Sequence, residues 1–170
     1  AQRIVIVQDR TAPTIALGID AIDVEVGQSI GVPEPVVLDN FDRNPSVVTI
    51  GAYDKDVLGE YEVCYYAEDF SGNISDTVCL SVIVYDDVAP SLRLQGAPFE
   101  AVCRWADYTD PGYVVSDNYN VEADLTSTIE VTNEAGDVID IADMTQSEGY
   151  YTISYTFEDE SGNSTNAQRA

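Results

Sequence analysis

Histidine is absent from this chain of 170 residues, and basic residues are scarce: 7 Lys and Arg stand against 31 Asp and Glu, for a formal net charge of −24. Without His, the commonest general base and a leading transition-metal ligand are missing. No Ser lies in a nucleophile-elbow motif, and the acids follow turns instead of a concave surface. A carboxylate pair such as Asp42 and Asp69 would in principle suit glycoside hydrolysis, but the chain reads as non-enzymatic. The shortage of Lys and Arg argues against nucleic acid and anionic membranes as partners, because phosphate contacts need clustered positive charge. Cations are the natural partners of such a surface. No apolar run approaches the ~20 residues that cross a bilayer. No signal peptide is visible either, so the chain reads as a mature or internal piece of something longer. Nor does any segment carry a 3.6-residue apolar period. High acidity alone would suit disorder, yet 45% hydrophobic residues and eleven Tyr argue for packed cores.

What is present is β-patterning, in two copies. Tyr61, Val63, Tyr65 and Ala67 alternate with more polar neighbours, then Glu68-Asp69-Phe70-Ser71-Gly72-Asn73 follows. Tyr151, Ile153, Tyr155 and Phe157 alternate in the same way before Glu158-Asp159-Glu160-Ser161-Gly162-Asn163. Period-2 alternation rich in Tyr, Val and Ile predicts a strand with one buried face, and Ser-Gly-Asn supplies the turn. Val78, Leu80, Val82 and Val84 continue the alternation on the return strand of the first hairpin.

Other signals repeat at a near-constant interval. Asp9-x-x-Ala-Pro13 recurs as Asp86-x-x-Ala-Pro90, 77 positions on, and Asp39-Asn40 recurs as Asp117-Asn118 after 78. Strands are expected at Thr14 to Leu17 and Ser91 to Leu94, continuing through Ala21 to Val26 and Phe99 to Cys103. Further strands are expected at 36–38, 47–50, 114–116 and 128–131. The second copy is longer between its Asp-Asn loop and its hairpin, and 137–141 is expected to form an extra strand there. The chain is therefore expected to be all-β: two tandem immunoglobulin-like antiparallel β-sandwich domains, 9–86 and 87–170, with 1–8 a strand belonging to an adjacent repeat.

Asp-x-x-Ala-Pro, Tyr108-Thr109-Asp110-Pro111-Gly112, Gly149-Tyr-Tyr-Thr-Ile-Ser-Tyr155 and Asp159-x-Ser-Gly-Asn163 together resemble bacterial immunoglobulin-like surface repeats, with hyalin-type repeats as relatives. The likeness runs over nearly the whole chain. The first copy departs from it, with Val32-Pro33-Glu34 where the second has Asp110-Pro111-Gly112. The resemblance implies a stalk or adhesion module of a secreted or cell-surface bacterial protein or filament. It names no ligand.

Strand parity brings acidic loops to one pole of each copy. In the first these are Asp9, Asp39 with Asn40 and Asp42, and Glu68 with Asp69; in the second, Asp86 with Asp87, Asp117 with Asn118, and Glu158 with Asp159. Carboxylates and Asn carbonyls are the hard oxygen ligands of Ca²⁺, which takes six to eight. Cadherins use a comparable arrangement where domains join, and Asp86, Asp87, Asp117 and Asp159 would form an inter-domain site. The plain alternative is turn-forming Asp and Asn on a very acidic surface, since no spacing matches an EF-hand loop.

Cys64 and Cys79 fall on the outward phase of the two strands of one hairpin, centred on its turn, so a disulfide is expected between them. That places the protein outside the cytoplasm, extracellular or on the bacterial surface. Cys103 is left as a buried free thiol or one paired beyond this chain. Trp105, Tyr66 and Tyr85 would stack on sugars, which makes a carbohydrate-binding accessory module the alternative function; Trp105 would otherwise plug the base of its sandwich. Finally, Ile4-Val5-Ile6-Val7 precedes Asp9 as Ser81-Val82-Ile83-Val84 precedes Asp86, and Ala-Gln-Arg occurs at both 1–3 and 167–169. Residues 1–8 are therefore expected to complete the second domain of a neighbouring copy, within one longer polypeptide or head to tail in a filament.

Overall fold

The structure is a computed structural model, which describes residues 2–170. The chain divides into two compact units, Ala1–Tyr85 and Asp86–Ala170. Both are built from β-strands, and the only helices among the described residues are two short 3-10 segments, Glu122–Asp124 and Ile141–Gln146.

In the first unit, β1 (Thr14–Ala16) pairs antiparallel with β3 (Val36–Leu38) in a two-stranded sheet. The main sheet has the order β2-β6-β5-β4, from β2 (Ala21–Glu25), β4 (Ser46–Ile50), β5 (Gly59–Glu68) and β6 (Val78–Tyr85). The alternation seen in the sequence is the alternation of the pleat. Val63, Tyr65 and Ala67 of β5 and Leu80, Val82 and Val84 of β6 are buried, while Glu62, Ser81 and Ile83 between them are exposed. Each fully buried Val or Leu contributes roughly 1.5–3 kcal/mol over an exposed one, so this face is the main stabilising element of the unit.

The first strand does not continue as one piece. β1 belongs to the small sheet, whereas β2 lies parallel to β6 in the large one, with Ala21 opposite Ser81 and Glu25 opposite Tyr85. The chain changes sheets between them because the Ser81 N–H donates to the Asp20 carbonyl at 2.9 Å, drawing the segment onto the edge of β6.

The second unit repeats the plan with differences. β7 (Ser91–Leu94) pairs with β8 (Tyr113–Ser116). The larger sheet has the order β10-β9-β11-β12, from β9 (Thr126–Asn133), β10 (Val138–Ile139), β11 (Tyr151–Glu158) and β12 (Ser164–Arg169). The two sheets pack face to face. Val115, Val131, Ile153, Tyr155 and Phe157 form a buried cluster with Leu125 and Met144, against which Leu92 and Leu94 pack. The Tyr113 ring lies 4.8 Å from Phe157 and 5.9 Å from Tyr155, centroid to centroid.

Three expected strands turn out otherwise. The 137–141 segment yields only the two residues of β10, because Asp140 caps a 3-10 turn by accepting from the Ala142 N–H at 2.8 Å. Phe99 to Cys103 is not a strand. Its backbone is held to the β12 end by two bonds, Ala170 N–H to the Pro98 carbonyl and Glu100 N–H to the Ala170 carbonyl, and no ladder follows. Arg3 to Val7 is not a strand either, since apolar alternation makes a ladder only where a second backbone lies alongside. Its Ile4, Val5, Ile6 and Val7 stand 74–93% exposed.

Candidate metal centres

The hairpin tip builds the first part of each site. Asp69 closes a loop in which its own N–H donates to the Asn73 carbonyl and Gly72 N–H donates back to the Asp69 carbonyl. Gly72 sits at φ 82°, a left-handed conformation that costs glycine little. The Asp69 carboxylate accepts from the N–H groups of Ser71 and Asn73 at 2.8 Å through Oδ1 and from Asn73 Nδ2 at 2.7 Å through Oδ2. Burial pushes the Asp69 carboxyl up, but the Asn73 side chain and the backbone N–H groups of Asn73, Ser71 and Gly72 outweigh it, and the group lies below the ordinary Asp value.

Two further loops bring in Asp39 and Asp9. Asp39 Oδ2 accepts from the N–H groups of Phe41 and Asp42 at 2.8 and 2.7 Å. Asp9 Oδ1 accepts from Thr11 N–H and from Asn40 Nδ2. In both residues one oxygen organises the local turn. The other, Asp39 Oδ1 and Asp9 Oδ2, is buried and receives no hydrogen bond. Oxygens from Asp9, Asp39 and Asp69 all lie within 4.8 Å of one another.

The second unit repeats the same plan. Asp86 Oδ1 accepts from Val88 N–H and Asn118 Nδ2, and Asp117 Oδ2 accepts from the N–H groups of Tyr119 and Asn120. Asp159 accepts from the Asn163 N–H and side chain. Asp86 Oδ2 and Asp117 Oδ1 are the buried oxygens without a donor, and oxygens of Asp86, Asp117 and Asp159 again converge within 4.8 Å. Asp86 is 8% exposed and Asp159 5%. Asn163 also donates to the Asp86 carbonyl at 3.1 Å, which ties the hairpin tip to the segment that opens the unit.

Three like charges at such separations repel by roughly 1 kcal/mol per pair in water and by more where water is excluded. A buried oxygen without a donor adds its own desolvation cost. An all-oxygen set with two lone-pair positions unsatisfied suits a hard divalent cation, with backbone or water oxygens completing the shell. Softer metals that favour thiolate or imidazole are a poor match.

The structure thus brings together six of the ten predicted site residues. Asn40 and Asn118 orient Asp9 and Asp86 through their side-chain N–H groups. Asp42 is used elsewhere: Oδ1 accepts from Asn44 N–H and Oδ2 from Phe70 N–H, which fastens the hairpin tip to the Asp39 loop. Asp87 is exposed and outside the second triad, as are Glu68 and Glu158 outside both. Asn120 was not foreseen. It is 7% exposed with an unsatisfied Oδ1, and it stands three residues after Asp117 as Asp42 stands after Asp39, an interval that would have revealed it.

Away from the poles, Cys64 and Cys79 form a disulfide across directly opposed positions of β5 and β6. Cys103 is a free thiol and is exposed, not buried. Trp105 plugs nothing: it is 67% exposed at a left-handed φ of 66°, with the Arg104 guanidinium 4.9 Å above its ring. Among the described residues no helix is long and apolar enough to cross a membrane. No protein-family model matches the chain, and no curated protein matches it.

Proposed function

We propose that this chain is a pair of immunoglobulin-like modules of an extracellular bacterial stalk or filament, non-enzymatic, in which Ca²⁺ at the acidic pole of each unit holds three loops together. The observation that carries the reading is the duplicated triad, in which each unit spends one oxygen of two carboxylates on the local turn and leaves the other buried without a donor. A turn-forming role alone accounts for the first oxygen and not for the second. The disulfide supports an oxidising location. The resemblance of the repeated motifs to surface repeats supplies the stalk role.

Titration calorimetry with CaCl₂, alongside melting in calcium and in chelator, tests this. With affinities of ~10⁻⁴–10⁻³ M, as extracellular modules have, millimolar calcium stabilises by about 1–2 kcal/mol per site. A melting curve unmoved by chelator would end the proposal. The exposed Trp105, one ring face covered by Arg104, favours a second reading as a sugar-binding module. Binding on a glycan array that is lost in Trp105→Ala would support it over a pure spacer.

A further inference from the structure

Among the described residues, the buried side-chain oxygens that receive no hydrogen bond all stand at the two poles, and the second unit has one more than the first. Asp9 Oδ2 and Asp39 Oδ1 are the pair in the first unit. Asp86 Oδ2 and Asp117 Oδ1 match them in the second, and Asn120 Oδ1 is the addition. Asn120 is 7% exposed, and its side-chain carbonyl is closed off from bulk water. Burying an amide oxygen without a donor costs free energy, so such an oxygen calls for a partner from outside the chain.

The first unit shows what this position does when no oxygen is spare. Asp42 stands three residues after Asp39, and both of its oxygens are taken: Oδ1 accepts from Asn44 N–H and Oδ2 from Phe70 N–H, each at 2.9 Å. Phe70 follows Asp69, so the side chain at this position reaches from the Asp39 loop to the hairpin tip. Asn120 stands three residues after Asp117 and has the same anchor. Its N–H donates to Asp117 Oδ2 at 2.9 Å, as Asp42 N–H donates to Asp39 Oδ2 at 2.7 Å. Glu160 takes the place of Phe70, yet Asn120 Oδ1 accepts nothing. A side chain with the same anchor and the same reach sets its unused acceptor between the Asp117 loop and the Asp159 tip. That is where oxygens of Asp86, Asp117 and Asp159 converge within 4.8 Å.

We propose that Asn120 Oδ1 is a fourth side-chain ligand of the cation in the second unit, one that the first unit lacks. The second site then binds Ca²⁺ more tightly than the first and discriminates more strongly against Mg²⁺. This rests on the calcium reading of the triads. An amide carbonyl is a hard oxygen donor of the kind Ca²⁺ takes. It raises the ligand count without adding a fourth negative charge to three that already repel. Mg²⁺ is smaller, demands a near-ideal octahedron and keeps several waters, so it gains less from another fixed oxygen. The first unit spends the same position on a bond between loop and tip that needs no cation. The two poles are therefore unequal.

Calorimetric titration of the full chain with CaCl₂ and with MgCl₂ tests this on the parent, Asn120→Ala and Asn120→Asp. The parent should show two calcium affinities about tenfold apart. Asn120→Ala should weaken the tighter one about tenfold, so that the two merge, and change magnesium binding far less. Asn120→Asp keeps an oxygen at the position and should retain the tighter site. In chelator Asn120→Ala should melt no lower than the parent, because it removes a buried acceptor that nothing in the chain satisfies. A clear drop there would make Asn120 a structural residue and overturn the assignment. Equal affinities in the parent would overturn it too. So would a tighter site unmoved in Asn120→Ala, the result expected if an ordered water satisfies the oxygen. In these cases the calcium reading still stands, whereas a parent chain that takes up no calcium ends both.

Discussion

The two hairpins, β5–β6 and β11–β12, solve one packing problem with different chemistry. Where Cys64 and Cys79 are covalently joined, the second unit sets Ser154 opposite Gln168, and Gln168 Nε2 donates to Ser154 Oγ at 3.0 Å. One position further on, the first unit buries Leu80, fully enclosed, and the second buries Arg169 at 4% exposure. That guanidinium donates to the Gly112 carbonyl at 2.7 Å, lies 3.3 Å from Asp110 Oδ1 and packs 5.4 Å from the Tyr155 ring. Tyr155 in turn donates to Asp110 Oδ2 at 2.6 Å. Burial, then the bond to Asp110, push the Tyr155 phenol well above its ordinary pKa. The first hairpin is thus held by a covalent link and an apolar core, the second by a buried polar network. A hairpin fold specifies which positions face inward, and it leaves open how each is satisfied.

The largest expected effect comes from breaking that network on one side. Asp110→Ala leaves Arg169 charged and buried with its ion-pair partner gone, and should destabilise the second unit by about 3–5 kcal/mol. Arg169→Leu, which makes the second unit resemble the first, should be neutral or stabilising by comparison. Denaturant melts of both variants check this, and equal losses would show that the network is worth more than a hydrophobic replacement.

Next is Cys64→Ser with Cys79→Ser, which makes the first hairpin resemble the second. The 15-residue separation predicts a loss of about 3 kcal/mol in the chain-entropy model. Reductant should lower the melting temperature of the parent chain similarly and leave that of the variant unchanged.

A smaller effect separates the two poles. Asp39→Asn or Asp117→Asn keeps an oxygen for the turn but removes one charge of a triad. Each should abolish calcium stabilisation of its own unit, about 1–2 kcal/mol, while raising stability in chelator through relief of repulsion. A variant that melts lower in both conditions would mean that the charge serves the loop alone.

The smallest is a pH effect. The Asp69 carboxyl titrates lower in the folded state than in the unfolded one. Its contribution is present above the unfolded value of about 4 and disappears as pH falls through the lower folded value. Melting in chelator from pH 5 downward should therefore show a decline that is shallower in Asp69→Asn.

Much of this architecture was legible in the residues. Period-2 alternation marked β5, β6 and β11 because a pleated strand with one buried face repeats every two residues. The same phase placed Cys64 opposite Cys79, and Asp followed by Ser-Gly-Asn marked the tips because that loop needs a side-chain acceptor and a left-handed glycine. Such signals are local, each carried by residues within one strand or turn. Pairing is not local. That β1 and β2 belong to different sheets, that β2 runs parallel to β6, and that 99–103 and 3–7 make no ladder all depend on which backbone lies alongside. Apolar alternation is the same whether that partner is there or not. The acid poles show both halves of the division. The sequence by itself determined that Asp9, Asp39 and Asp69, and likewise Asp86, Asp117 and Asp159, sit in turns at one end of each unit. Only the tertiary structure decided that one oxygen of Asp9, Asp39, Asp86 and Asp117 is left buried and without a donor, because which oxygen a turn uses, and what encloses the other, follow from three loops packing together.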